Sequence, residues 1–408
     1  MTGVEIGHVG TTRDRARNAA LALDAWLRRN GWEGYDPYDV RALTSRLESR
    51  GRSGRALARV VARADGLFPL ALRRLLRVRG EVNAKAMGLF AEAYRRLGTA
   101  SGDRGLLARG QEALQWLATN PSRGYAGICW GYPFDWQSRR MIPRGTPSSV
   151  VTATAGEAFW GQYRATGDRR HLDVCRSICE FFLRDLNRDE LAGGTALCFS
   201  YTPLDHFHVH NANLMVADFL VRVGRETGEE TLVSTGLRAA RYALSEQRPD
   251  GAISYWGTDQ DTAPRVDHYH AGFEIRSLYA LWKSTEDKAL HAAASRYFEF
   301  YRRRLFENGS IPRLTPERLY PVDVHACAEA ILCPSTLAPD FPQAAASLDQ
   351  TVDWVLEHMR HPQGWFVYQI RRYRGVPWKL KVPHIRWGQA WMLRALAQFC
   401  GLDRGRVR

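Results

Sequence analysis

Residues 209–250 read VHNANLMVADFLVRVGRETGEETLVSTGLRAARYALSEQRPD, and this stretch decides the fold. Apolar residues fall at i, i+3, i+4 and i+7 on both sides of a break at GRETGEE (224–230), which predicts two amphipathic helices joined by a tight turn. The first helix is richer in small and apolar residues and belongs to an inner layer; the second carries more charge and faces solvent. The same unit recurs along the chain. AKAMGLFAEAYRRL leads through LGTASGD (97–103) to GLLARGQEALQWLAT, and VVTATAGEAFWGQYRA through YRATGD (163–168) to RHLDVCRSICEFFLRDL. FEIRSLYALWKS leads through WKSTEDK (282–288) to ALHAAASRYFEFYRRRLF, and ACAEAILCPSTL through a degraded STLAPDF (335–341) to QAAASLDQTVDWVLEHM.

Five hairpins leave one helix near each end of the chain, RARNAALALDAWLRRNG and WGQAWMLRALAQFCG. Joined, they make a sixth hairpin that closes a circle. The expected fold is all-α, an (α/α)6 toroid in one domain over 1–408, with a basic helical arm at 35–80 inserted before the second hairpin. The long connections, such as 121–149 and 248–269, run from an outer helix to the next inner one. They share one rim, where function is expected.

Composition narrows the partners. Hydrophobic residues make up 45% of 408, enough for a large core. No apolar run reaches the length of a membrane span. The opening stretch, MTGVEIGHVGTTRDRARN, lacks the apolar core of a signal peptide, so a cytoplasmic location is expected. Seven scattered cysteines without a CxxC pair read as buried hydrophobes in a reducing compartment. The net charge is +14, and between Arg41 and Arg79 eleven arginines face only Glu48 and Asp65. That arm suits an anionic membrane surface or a polyanion, or is a solvated arm packed on the ring. Nothing resembles a nucleic-acid-binding module, a P-loop or a dinucleotide fingerprint, so no nucleic acid and no cofactor are expected. The oligomeric state is not legible.

Four predicted inner helices begin with a histidine: His210, His270, His325 and His384, at gaps of 60, 55 and 59 residues. Each follows a polar or aromatic loop. Helix N-termini aimed at one mouth present free N–H groups and favour an anion. Arg276, Arg386, Lys379 and Lys381 lie in or near the same corners, beside Trp378. Asp135, Asp205, Asp267 and Asp323 occupy the loops, and the last two can serve as acid and base or as helix caps. Tyr132, Tyr201, Tyr255, Tyr269 and Tyr368 form a third set, because a phenol among cations can lose its proton and act as a base. Trp130, Trp136, Trp256, His208 and Asn211 complete the candidate substrate surface. The alternation of His206, His208 and His210 has no diagnostic metal spacing, and no metal is expected.

WGYPFDWQ, TPSSVVTATAGEAF, CFSYTP, VHNANLM, QRPDGAISYW, VDHYHAGFEIRSLYAL and PVDVHACAEAI together resemble prokaryotic α/α-toroid polysaccharide biosynthesis proteins of the VpsJ type. That group is similar to the helical C-terminal domain of heparosan D-glucuronyl C5-epimerases. The resemblance covers about 80–400. Where the group pattern reads W-x-D-N-F-H-T-G-F, this chain has RVDHYHAGF, so His268 and Tyr269 stand for Asn and Phe. It implies a uronate-acting enzyme whose partner is a uronic-acid-containing polysaccharide. In that reading Tyr255, Tyr269 or His270 removes the C5 proton, and His210, Tyr201 or His325 returns one. A polysaccharide lyase, a glycoside hydrolase using Asp267 with Asp323 or Asp205, and a non-catalytic glycan-binding or scaffold subunit are the alternatives. A terpene cyclase lacks the acidic centre that it would need.

Overall fold

The computed structural model describes residues 10–402; the first nine residues of the opening stretch lie outside the described residues. The chain begins with α1 (Thr12–Asn30) and three arm helices, α2 (Arg41–Glu48), α3 (Gly51–Leu67) and α4 (Pro69–Leu75). Five hairpins follow. They are α5 (Ala84–Ser101) with α6 (Arg104–Thr119), α7 (Ser149–Thr166) with α8 (Arg169–Arg184), and α9 (His210–Thr227) with α10 (Glu230–Ser245). The last two are α11 (His268–Thr285) with α12 (Lys288–Arg304), and α13 (Val324–Leu337) with α14 (Leu348–His358). A π-helical turn at Ile385–Ala390 leads into α15 (Trp391–Cys400).

α5, α7, α9, α11, α13 and α15 each pack against the next, and α15 packs back on α5, so the inner ring closes. α1 packs on α15 and α14 and completes the outer layer. The fold is an all-α (α/α)6 toroid.

The tight turns have a local cause. α5, α7 and α9 end on Gly102, Gly167 and Gly228 in the left-handed conformation, which costs glycine little because it has no Cβ. Asp103, Asp168 and Asp287 then accept the free N–H groups that open α6, α8 and α12. At the α11 turn Glu286 takes the left-handed position instead.

Alternate seams of the inner ring are clasped by ion pairs: Glu157 of α7 with Arg222 of α9, Arg276 of α11 with Glu329 of α13 (2.6 Å), and Glu92 of α5 with Arg394 of α15 (3.9 Å). At the α5–α7 seam Gly88 lets the backbones meet, since a Cβ there would lie 2.7 Å from the Thr154 carbonyl oxygen.

The long connections carry short antiparallel pairs that the sequence reading treats as loops. β1 (Trp136–Gln137) pairs with β2 (Met141–Ile142), β3 (Arg188–Leu191) with β4 (Ala196–Phe199), and β5 (Phe306–Glu307) with β6 (Ile311–Pro312). β7 (Val322–Asp323), β8 (Gln369–Tyr373) and β9 (Val376–Leu380) form a three-stranded sheet in that order. Of the seven cysteines, all free, six are buried and Cys400 is half-buried. Among the described residues no helix is long and apolar enough to cross a membrane.

Candidate active site

Successive helical residues are rotated by about 100°, so one position decides which way a helix-opening residue points. α5, α7, α11 and α13 are capped by Asn83, Ser148, Asp267 and Asp323, whose side chains accept N–H groups of the first turn. Val209 and His384 hold the equivalent positions before α9 and the π-turn. Two residues beyond each of these six positions stand Lys85, Val150, Asn211, Tyr269, His325 and Arg386, and all six line one cavity. Its free space is about 440 Å³, and Tyr38, Tyr132, Trp136, Tyr201, Tyr255, His270, Phe273 and Trp387 complete the wall.

His270, the third residue of α11, is held by Asp267. The carboxylate accepts the backbone N–H of His270 at 3.1 Å and its ring Nδ1–H at 2.8 Å. A carboxylate can only accept, so Nδ1 carries a proton and Nε2 is the ring atom left to meet a ligand. Nε2 makes no hydrogen bond to any described residue. Burial pushes the Asp267 pKa up, but His270 and Arg265 outweigh it and the net value is lowered. His325 lies between Tyr269 (ring centroids 4.6 Å apart) and Trp391 (4.8 Å), and neither ring nitrogen has a partner. Burial, then the charges of Lys85 and Arg386, hold its pKa well below the ordinary histidine value, so it is neutral. Asn211 Oδ1 is likewise buried without a donor. Buried polar atoms of this kind are ones that a polar ligand or an ordered water can satisfy.

Two basic side chains complete the wall. Arg386 gives Nε and Nη2 to Asp36 at 2.5 and 2.7 Å. Lys85 is 3% exposed and has no carboxylate partner among the described residues; its Nζ lies 5.5 Å from the Phe273 ring and 5.4 Å from the Trp391 ring. Burial first, and Arg386 second, depress its pKa well below that of ordinary lysine. The phenols move the other way from the sequence expectation. Burial raises Tyr38 to about 12 and raises Tyr132, Tyr201, Tyr255 and Tyr269 as well. Phenols in this dry wall are acids and hydrogen-bond donors rather than bases.

Several expected residues lie elsewhere. His210 opens α9 one position too early. It turns outward, stacks on Tyr242 of α10 at 5.1 Å and gives Nδ1–H to the Ser254 carbonyl. His384 gives its Nδ1–H to the Tyr35 carbonyl (3.0 Å) behind the wall. His208 sits between Asp259 and Asp189 at the outer rim. Asp267 and Asp323 are buried caps, not cavity-facing acids. Burial raises Asp323 to about 6 against hydrogen bonds from Gln369, the His325 backbone and Trp387. Asp205 accepts the backbone N–H groups of Tyr201, Thr202 and Phe207 and so shapes the turn that presents Tyr201. Asp135 ties the 121–149 loop to Arg46 of the arm. Trp130 is core, with its indole N–H on the Leu117 carbonyl. Trp256 packs on Phe207 and Tyr255 beside the wall. Arg276 lies about 12 Å down α11, at 1.5 Å per residue, and clasps Glu329 instead of the mouth. Trp378 and Lys379 are exposed on the β8–β9 hairpin.

Lys85, Tyr38, Asp36, Phe273 and Trp387 are absent from the sequence expectation. Lys85 was findable: it is one of only five lysines and stands two residues after a capping Asn, as His325 stands two after Asp323. Tyr38 and Asp36 come from the start of the arm, where no periodic signal marks them. Among the described residues no group of three or more His, Cys, Asp or Glu is placed to hold a metal ion.

No protein-family model matches the sequence. No curated protein sequence resembles it significantly. Solved structures share the fold at low identity. An unsaturated glucuronyl hydrolase specific for heparin is 13% identical, with a TM-score of 0.59 over 95% of this chain and 96% of that one. Cellobiose 2-epimerase from Spirochaeta thermophila is 13% identical, with a TM-score of 0.58 over 80% and 86%. A polysaccharide lyase is 8% identical, with a TM-score of 0.56 over 96% and 97%. These similar structures are α/α-toroid enzymes of carbohydrate chemistry, and at such identities the likeness extends to the fold.

Proposed function

We propose that the chain acts on uronate residues of a polysaccharide, most concretely as a glucuronyl C5-epimerase. One observation carries this reading: the polar side chains of the cavity wall are tyrosine, histidine, asparagine, lysine and arginine beside tryptophan, with no carboxylate side chain among them. Most glycosidases use two carboxyl groups facing the scissile bond. Asp267 and Asp323 are committed to capping, and the wall offers neither an acid–base pair nor a nucleophile of that kind.

The wall suits proton transfer next to a carboxylate. A uronate anion supplies the counterion that Lys85 lacks, and converging helix N-termini reinforce it as charge moves onto the enediolate. His270 Nε2 takes the C5 proton, and Asp267 stabilises the imidazolium. A protonated phenol from the Tyr132–Trp136–Tyr201 side gives a proton to the opposite face of C5, and solvent exchange restores both groups. Asn211 Oδ1 and the free nitrogens of His325 accept sugar hydroxyls. Tyr132 also borders one neighbouring open cleft and Arg386 another, and these are where flanking sugars of a polymer would lie.

His325 supports a second reading. Two imidazoles in one cavity, His325 without a partner and His270 held through Nδ1 by Asp267, suit C2 epimerisation at the reducing end of a neutral disaccharide, and a cellobiose 2-epimerase has a similar fold. Product analysis separates the readings. C5 inversion in an intact uronate polymer is expected. An unsaturated terminal sugar would mean a lyase, a new reducing end a hydrolase, and C2 inversion of a disaccharide the second reading.

A further inference from the structure

Among the described residues, the large apolar side chains left exposed are, apart from Leu21 and Leu204, confined to two places. Leu57 (50% exposed), Leu67 (52%), Phe68 (67%) and Leu75 (79%) lie on the arm, and Tyr373 (69%), Val376 (67%) and Trp378 (38%) on the β8–β9 hairpin. α3 shows how the arm is built. Gly54, Ala58 and Val61 are its buried face. Leu57, Val60, Ala64 and Leu67, at i, i+3, i+7 and i+10, run as a stripe beside that face. Arg52, Arg55, Arg59 and Arg63 fill the exposed sector away from it, and none forms an ion pair among the described residues.

The hairpin joins this stripe. Residues paired across strands share a face, so Tyr373 with Val376 and Arg371 with Trp378 lie on one side. Arg371 donates Nη1–H to the Gly66 carbonyl at 2.6 Å, next to Leu67 and Phe68. The surroundings are cationic. Asp65, one of the two acids between Arg41 and Arg79, is taken by buried Arg73, and residues 361–381 contain no acid at all.

We propose that this patch is a docking surface for an anionic lipid bilayer. Phe68, Leu75 and Trp378 enter the boundary between headgroups and acyl chains, while the arginines meet lipid phosphates and carboxylates. A soluble polyanion would engage the arginines but would leave these apolar side chains in water, so lipid is the better match. The arm also supplies Tyr38 to the cavity, and the hairpin is paired to β7, which leads into α13, so docking places the cavity mouth close to the membrane surface.

The test is co-sedimentation of the full chain with vesicles of phosphatidylcholine plus phosphatidylserine, against phosphatidylcholine alone. Binding to the anionic vesicles is expected. It should weaken by about tenfold for each large side chain removed in F68S and W378S, and also in the R59E/R63E pair. Circular dichroism should match the unsubstituted protein, because these side chains are exposed. Absence of binding to phosphatidylserine vesicles would overturn the proposal. So would binding that falls in R59E/R63E but is unchanged in an F68S/W378S double variant, since that is the behaviour of a polyanion surface.

Discussion

At the residue scale, the offset of one position between His210 and Asn211 separates a buried strut from a cavity wall. Both lie in the same motif, and only the position of the cap tells them apart. That is why two of the four expected histidines, His270 and His325, face the cavity while His210 and His384 hold the frame. Three predictions belong here. His270→Gln should lower turnover by at least about a hundredfold with little change in thermal midpoint, measured by epimerisation kinetics and calorimetry. Lys85→Met should raise KM for a uronate substrate by about tenfold or more and leave turnover of a neutral disaccharide unaltered. His384 has a folded pKa of about 4, below the unfolded value of about 6.5, because burial disfavours its charge. The unfolded chain therefore binds more protons below pH 6.5, and this contribution is lost as pH falls. Relative to His384→Gln, the native protein should lose about 2 kcal/mol between pH 7 and pH 5, read from denaturant unfolding at each pH.

At the element scale, the hairpin repeat was legible because the helical period and the Gly–Asp turns are local properties. The 3.6-residue pattern marks each helix, Gly102 and Gly167 mark the ends, and Asp103 and Asp168 mark the restarts. The site was only partly legible. A wall assembled from six helix starts needs rotational register, and a histidine count gives the wrong register for α9. Tyr38 escaped because its contact is made across the fold by an arm whose periodicity concerns its own packing. Arg276 was misplaced for a related reason: its sequence distance from the mouth is short, but two turns of helix carry it down to Glu329. The ring also depends on close seams. A Cβ on Gly88 would lie 2.7 Å from the Thr154 carbonyl oxygen, a backbone atom that cannot swing aside. Gly88→Ala should therefore cost about 1–3 kcal/mol in urea unfolding, although alanine favours helix.

At the scale of the whole molecule, closure of the inner ring brings residues from positions 38 to 387 to one cavity without a carboxylate on its wall. The same closure leaves the arm and the β8–β9 hairpin on the mouth side, where a polymer or a membrane can approach. The proposed chemistry follows from the combination of an anion-seeking floor, an imidazole fixed by a buried carboxylate, and protonated phenols opposite it. The most direct measurement is deuterium incorporation from D₂O into heparosan and related uronate polymers, read at C5 by NMR and mass spectrometry. The account predicts deuterium at C5 in an intact chain, abolished by His270→Gln. Turnover of those polymers without deuterium at C5, or exchange that persists undiminished in His270→Gln, would contradict it.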